Sequence, residues 1–295
     1  MSKIYQIQNV SCMLLDEFAR VCRENNLKWF ADSGTLLGAA REHGFIAWDD
    51  DIDVVMPRED YNRLITNGNV LFKNPFLLQS YKTDINYAGL TASLMYLDST
   101  LVYGDYHLSQ FYRKSNGAFM SNLGISIDIE PIDHIPDDED RYNMLLSFIY
   151  FLHNNCRAPY NCISDERVDI LENIRHGAQL YNNMMTEIND RSQNDGRVAC
   201  THWWPLNTLQ QRYVSAECYS GFIEMPFVGC KENVRVPVGY DEILRAYYGN
   251  YMFEKKRNTE KIYERVLVDA DHSYHDYERF SNEELLKMIE NNETL

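Results

Sequence analysis

Apolar residues recur three and four positions apart at the start of the chain. Ile4, Ile7, Val10, Leu14, Phe18 and Val21 share one face of a helix over 3–24, which Asn25-Asn26 stops. Lys28 to Ala31 reads as a short strand, and Thr35 to Glu42 as a short helix entered through Gly34. Over 52–56 the period changes to two, with Ile52, Val54 and Met56 on one face and Asp51, Asp53 and Val55 on the other. Pro57 suits the first position of the next helix, which carries Tyr61, Leu64 and Ile65. Apolar stretches at 76–79 and 90–97 are strands. Ile125 to Ile129 alternates again, and Pro131 is expected to end that strand. From about 138 to 192 the pattern is helical, with Leu145, Phe148, Ile149 and Leu152 on one face and a second helix over 165–190. Residues 222–238 form a strand pair around Gly229 to Asn233. Tyr240 to Tyr248 is a helix closed by Gly249, and Ser281-x-x-Glu284 is a capping box ahead of Leu285 and Leu286. The pattern predicts a mixed α/β half followed by a mainly helical half, without repeats.

With 295 residues, 45% hydrophobic and 24% charged, the chain is long and apolar enough for a large core. That excludes a mostly disordered chain, a collagen-like repeat and a small disulfide scaffold. The formal net charge is −16, so nucleic acid is excluded as a general partner and any phosphate substrate needs local or metal-borne positive charge. Residues 1–25 carry polar and charged side chains throughout, unlike a secretory signal, and the apolar run from Met144 to Leu152 is too short to span a bilayer. Seven scattered cysteines make no disulfide framework, so a reducing cytoplasm is the expected setting. Contact with the inner face of the membrane stays open.

The candidate chemistry lies in one stretch. Trp48-Asp49-Asp50-Asp51-Ile52-Asp53 packs four aspartates into five positions. Two bare charges about 4 Å apart repel by roughly 4 kcal/mol at an effective dielectric of 20, so protons or cations must intervene. Asp51 and Asp53 leave one face of a strand, and Asp128 sits between Ile127 and Ile129 on another. If those strands are neighbours, three carboxylates converge, and such hard oxygen donors suit Mg²⁺ or Mn²⁺. A solvated, helix-capping turn is the alternative. A calcium loop is excluded, since Val54 stands where it needs Gly and Asp60 where it needs Glu. Gly34-Thr35, opening a short helix, fits a phosphate site made of backbone N–H groups.

Ser33-Gly34-Thr35-Leu36-Leu37-Gly38-Ala39-Ala40-Arg41, followed by Gly44 to Trp48 and Asp49-Asp50-Asp51-Ile52-Asp53, resembles the LicD family. Ile127-Asp128-Ile129 with Pro131-Ile132-Asp133 resembles that family's third acidic segment. Met225-Pro226-Phe227 through Val236-Pro237-Val238-Gly239-Tyr240-Asp241, then Tyr248 to Met252, resembles its C-terminal segment. The likeness touches residues 27–63, 124–134 and 222–252. Departures are Ser33 for the usual Gly, Glu42-His43 for Arg-His, Ala47 for Pro, and no Pro soon after Met252.

The resemblance implies an α+β (mixed α/β) protein with a nucleotidyltransferase-like mixed sheet flanked by helices. Residues 1–135 would be the core, and 136–295 a mainly helical region packed on it as one unit. It implies a phosphotransferase moving phosphocholine or a similar phospho-alcohol from a CDP-activated donor, CDP-choline first, to a sugar or teichoic-acid-like glycan hydroxyl, releasing CMP. Asp51, Asp53 and Asp128 would be the catalytic metal ligands, with Asp133 competing for the third role. Ser33, Gly34, Thr35, Arg41, His43 and Trp48 would meet substrate. For Arg41 an ion pair with Glu42 is the competing reading, for His43 plain solvation, and for Trp48 core packing. The rival functions are nucleotidyl transfer with pyrophosphate release, and non-catalytic binding of a nucleotide or carbohydrate.

Other features are read as structural. Cys200, His202, Cys218 and Cys230, or His153, Cys156 and Cys162, could hold zinc but lack Cys-x-x-Cys spacing. Tyr247, Tyr248 and Tyr251 could box a quaternary ammonium, but a packed helix face is preferred. Glu254-Lys255-Lys256-Arg257 is taken as solvated surface.

Overall fold

The computed structural model describes residues 2–85, 87, 89–104, 119, 121–155, 167–192, 196–200, 213–253 and 265–295. Within these, the side chains of 153–155, 167–171 and 200 are not described. The helices are α1 (Lys3–Glu24), α2 (Ser33–Arg41), α3 (Arg58–Leu71), α4 (Glu139–Asn155), α5 (Arg167–Arg191), α6 (Tyr240–Tyr248), α7 (Tyr274–Tyr277) and α8 (Asn282–Asn291). The strands are β1 (Phe30–Ala31), β2 (Asp53–Pro57), β3 (Phe76–Gln79), β4 (Ala92–Tyr96), β5 (Thr100–Tyr103), β6 (Ile125–Ile135), β7 (Arg197–Cys200), β8 (Val214–Ser215), β9 (Phe222–Met225), β10 (Val234–Pro237) and β11 (Val266–Asp269). The class is α+β, with a mixed main sheet.

The main sheet runs β1-β2-β6-β4-β3, with β7 and then β8 attached to the second half of β6. Asp128 to Ile132 of β6 pairs in parallel with Asp53 to Pro57 of β2. On the opposite edge, β6 pairs antiparallel with β4 as far as Ile129↔Ala92, and with β7 from Ile132↔Cys200 onward. Pro131 therefore does not end the strand, contrary to the expectation from sequence. Among the described residues it falls between the last β4 pairing, at Ile129, and the first β7 pairing, at Ile132, so its missing N–H breaks no ladder bond there. Strands β7 and β8 come from the second half of the chain, so the two halves share one sheet.

The face of α1 read from sequence is the buried one. Ile7, Val10, Leu14, Leu15, Phe18 and Val21 are buried, and the helix packs on β6 and β4. Each such side chain contributes about 1.5–3 kcal/mol. Strand β2 is buried on both faces rather than one: Val54, Val55 and Met56 are all inaccessible. The cause is its parallel pairing, which places helices over both sides. Under α3, Arg58 and Asp133 form a fully buried ion pair with Nη2–Oδ2 at 2.5 Å and Nε–Oδ1 at 2.6 Å, while Arg58 Nη1 donates to Asn182 Oδ1 at 2.8 Å.

The β9–β10 hairpin packs its second strand on β1 and α2, and α6 packs on α2. A disulfide joins Cys12 on α1 to Cys230 in the hairpin loop, whereas the sequence pointed to no such bond. A separation of 218 residues gives spacing arguments nothing to work on. This also removes Cys230 from any zinc set; the rest of those sets apart from Cys218, and Glu254 to Arg257, lie outside the described residues or side chains. Strands β5 and β11 pair separately and, with α7 and α8, close a smaller core of Val102, Leu267, Tyr277, Leu285 and Ile289. The Ser281–Glu284 capping box starts α8. Among the described residues, no helix is long and apolar enough to cross a membrane.

Candidate active site

The acidic loop is held from four directions. Gln8 on α1 donates to the Asp49 carbonyl at 2.8 Å. A Cβ on Gly34 would lie 2.0 Å from Asp49 Oδ2, so only glycine lets that carboxylate settle against the start of α2. The Thr35 hydroxyl accepts from the Asp53 amide at 2.9 Å, and the Asp128 amide donates to the Ile52 carbonyl at 2.9 Å. Ile52 is completely buried between them and anchors the loop to the core.

This anchoring fixes the carboxylates. Asp53 is the direct register partner of Asp128 on the parallel β2–β6 ladder. Asp51 stands two residues before Asp53 and is exposed, whereas Asp53 and Asp128 are half-buried. Two further acids join them. Glu130 shares the Asp128 face of β6, and Asp32 stands just before α2 without a side-chain cap bond; each is only 2% exposed. Burial raises the Asp53 carboxyl well above its ordinary value, and Asp51, Glu130, Asp128 and Asp32 all push it further up. Asp128 is pushed up to about 7 by burial, then by Glu130 and Asp51. Tyr103 is pushed up to about 12 by burial and by Asp50, Asp51 and Asp128. Tyr87 is also raised, by burial and Asp128, and it shares a hydrogen bond with Ser93, the residue opposite Asp128 on β4. Among the described residues, burial and these acids push Asp53 and Asp128 the same way, which favours a proton or a cation beside them.

The donors are hard carboxylate oxygens, the chemistry Mg²⁺ or Mn²⁺ requires. Among the described residues, though, no three acidic, histidine or cysteine side chains stand in ready-made coordinating positions. The carboxylates are electrostatic neighbours with adjustable rotamers rather than a finished cage.

The other candidates divide by place. Ser33, at φ 47°, donates its hydroxyl to Asp32 Oδ2 at 3.1 Å and borders the acidic group. The Gly34 and Thr35 amides precede the first backbone bond of α2, from the Leu36 amide to the Asp32 carbonyl. The Thr35 side chain is buried and committed to Asp53. Arg41 lies at the opposite end of α2, paired with Glu42 at 2.7 Å and donating to the Tyr251 carbonyl at 2.9 Å. His43 is exposed, and its carbonyl accepts from the Val228 amide at 2.7 Å. Trp48 is half-buried against the main core. Asp133 points to Arg58 rather than to Asp53. Tyr247 and Tyr251 are packed in the core, and the Tyr251 hydroxyl donates to Asp241 at 2.8 Å.

Sequence reasoning passed over Glu130, Asp32 and Tyr87. Glu130 was within reach, because a residue two beyond Asp128 on a strand shares its face. A cleft of about 860 Å³ lies away from the carboxylates, at the Pro57 end of β2, bounded by Asn62, His134 and Asn189.

Comparison with known proteins identifies related sequences. Residues 26–121 match the model of the LicD/FKTN/FKRP nucleotidyltransferase domain. The chain is 44% identical over 59 residues to the lipopolysaccharide cholinephosphotransferase LicD of Haemophilus influenzae, covering 20% of this chain and 22% of that one. It is 43% identical over 47 residues to an uncharacterized protein of Rickettsia prowazekii, covering 16% of this chain and 18% of that protein. A Rickettsia typhi protein matches at the same identity over 16% of this chain and 15% of its own length. The matches thus span about a fifth of these relatives.

Proposed function

Residues 26–121 place this chain in the LicD family, and on that premise we propose that it transfers a phosphocholine-type group from a CDP-activated donor to a glycan hydroxyl, releasing CMP. The observation that carries the reading is the side-by-side register of Asp53 and Asp128, with Asp51 at the exposed mouth and, among the described residues, further acids rather than cations acting on Asp53. Asp51, Asp53 and Asp128 would hold Mg²⁺ or Mn²⁺, and a bound cation would neutralise the donor diphosphate.

The chain's own residues supply the rest. The Ser33, Gly34 and Thr35 amides present N–H donors at the start of a nine-residue helix, suited to a phosphate oxygen. Asp32 and Asp49 flank those donors, so a phosphate arrives there only with its charge already compensated. Asp128, in register with Asp53, is the carboxylate placed to take the proton of the attacking hydroxyl. The oxygen then bonds to the phosphorus distal to cytidine, and the bond from that phosphorus to the bridging oxygen breaks, freeing CMP. The half-buried setting of Asp53 and Asp128 limits competing water.

The test is incubation of the purified chain with Mg²⁺, a glycan acceptor, and CDP-choline, CDP-ethanolamine, CDP-glycerol or CDP-ribitol. Release of CMP with one donor, lost in Asp53→Asn and Asp128→Asn, supports the reading. Pyrophosphate released from CTP instead would establish nucleotidyl transfer. Donor binding by the native chain with no turnover of any donor, and surviving both substitutions, would establish a binding protein.

A further inference from the structure

A second polar cleft, of about 430 Å³, lies between α5 and the turn joining β3 to β4. It is lined by Tyr81, Lys82, Arg175, His176, Gln179 and Asn183, and among the described residues no acidic one borders it. That is unusual in a chain with 44 Asp and Glu against 28 Lys and Arg.

The α5 side of the cleft is one helical face. Positions 175, 176, 179 and 183 are neighbours at three- and four-residue spacing. Among the described residues, none of those four side chains makes a hydrogen bond or ion pair, and Glu172, one turn earlier, pairs with neither Arg175 nor His176. Arg175 is half-buried and lines the cleft.

The opposite wall is preorganised. The Ser80 and Thr83 hydroxyls share a 3.0 Å hydrogen bond, the Lys82 amide donates to Ser80 Oγ at 3.2 Å, and the Thr83 hydroxyl donates to the Leu78 carbonyl at 2.6 Å. The one acid in this turn, Asp84, is engaged elsewhere by the side-chain amides of Gln79 and Asn122. Lys82 Nζ donates to Thr66 Oγ1 at 2.9 Å and rests 5.8 Å from the Tyr81 ring centroid, which leaves two of its three N–H groups uncommitted.

We propose that this cleft binds the phosphate group of a phosphorylated sugar, at a site separate from the acidic centre. Lys82 and Arg175 supply the charge and a forked donor set for a tetrahedral oxyanion. Gln179 and Asn183 offer amides to sugar hydroxyls, and Tyr81 offers a ring for the sugar face. The assignment does not depend on the transfer reaction.

Calorimetric titration of the full chain with inorganic phosphate, glucose 6-phosphate and glucose tests it. Glucose 6-phosphate should bind more tightly than inorganic phosphate, and glucose should give no heat at the same concentrations. Lys82→Gln and Arg175→Gln should each weaken binding by about tenfold or more, the loss of one charge-assisted hydrogen bond. Arg175→Lys should recover part of it, and Asp53→Asn should leave it unchanged. Unaltered thermal melts would show that the variants fold. The site is overturned if Arg175→Gln binds phosphate as the native chain does, or if no phosphate titrates. Equal affinity for inorganic phosphate and glucose 6-phosphate would overturn the sugar assignment.

Discussion

Replacing Asp133 by Ala leaves the Arg58 guanidinium in the interior without its carboxylate. Both side chains are within 1% of full burial, and two of the three Arg58 hydrogen bonds end on Asp133. Burial alone pulls the Arg58 pKa down; the Asp133 carboxylate more than offsets this and holds it above its ordinary value. Removing one partner of such a pair costs about 3–5 kcal/mol, a large part of the roughly 5–15 kcal/mol that holds a domain folded. The Asn182 amide and the Tyr61 and Tyr181 rings, 5.3 and 5.8 Å from the guanidinium carbon, cannot replace an ion pair. Urea unfolding followed by circular dichroism should show the midpoint drop without a change in slope. The double variant Arg58→Met with Asp133→Leu should recover more than half of the loss, because no buried charge is stranded. It should also retain CMP release, since Asp133 does not face Asp53. A loss below about 1 kcal/mol in Asp133→Ala would refute the argument, given the values expected for buried pairs. Loss of turnover in a stable double variant would return Asp133 to the acidic centre.

Three other expectations are independent of that pair. In metal-free buffer, stability should fall as pH rises from about 4 to about 7, because folded Asp128 keeps its proton up to about 7 whereas the unfolded chain releases it near 3.8. Melting curves across that range should flatten in Asp128→Asn, and Mg²⁺ should raise the native melting temperature most at the upper end. Gly38→Ala should destabilise by about 1–3 kcal/mol, since the new Cβ would lie 2.2 Å from the Gly44 carbonyl oxygen and neither backbone can yield freely. Denaturant titration would measure it, and a neutral result would mean that the 41–46 loop is not pinned to α2. Thr35→Val should lower kcat with a smaller change in stability, by releasing the Asp53 amide from its 2.9 Å anchor; full activity would show that the strand start holds without it.

Much of this was legible in the sequence where local rules suffice. The periodicity of α1, the Ser281–Glu284 box and the Gly249 stop each depend on residues close together in the chain. The likeness of the Ser33–Asp53 stretch to one family is likewise a local signal. What was hidden depends on partners far away. Pro131 is accommodated where, among the described residues, the pairings to β4 and β7 leave it without a partner on that edge. Asp133 competed with the better-placed Asp128 until strand parity sent Asp128 to Asp53 and Asp133 to Arg58. Arg41 could have met a phosphate or its neighbour Glu42, and the position of Tyr251 bears on which. The Cys12–Cys230 bond and the basic cleft across from α5 join segments whose proximity no spacing encodes.

Strand β6 lies outside residues 26–121, yet β2 and β4 meet only through it. An expression fragment trimmed to the recognisable portion would therefore lack the keystone between its own strands, along with Asp128 and the helix that roofs them. The sequence hallmark and the autonomous folding unit have different borders, and anyone dissecting this protein should cut by the sheet rather than by the motif.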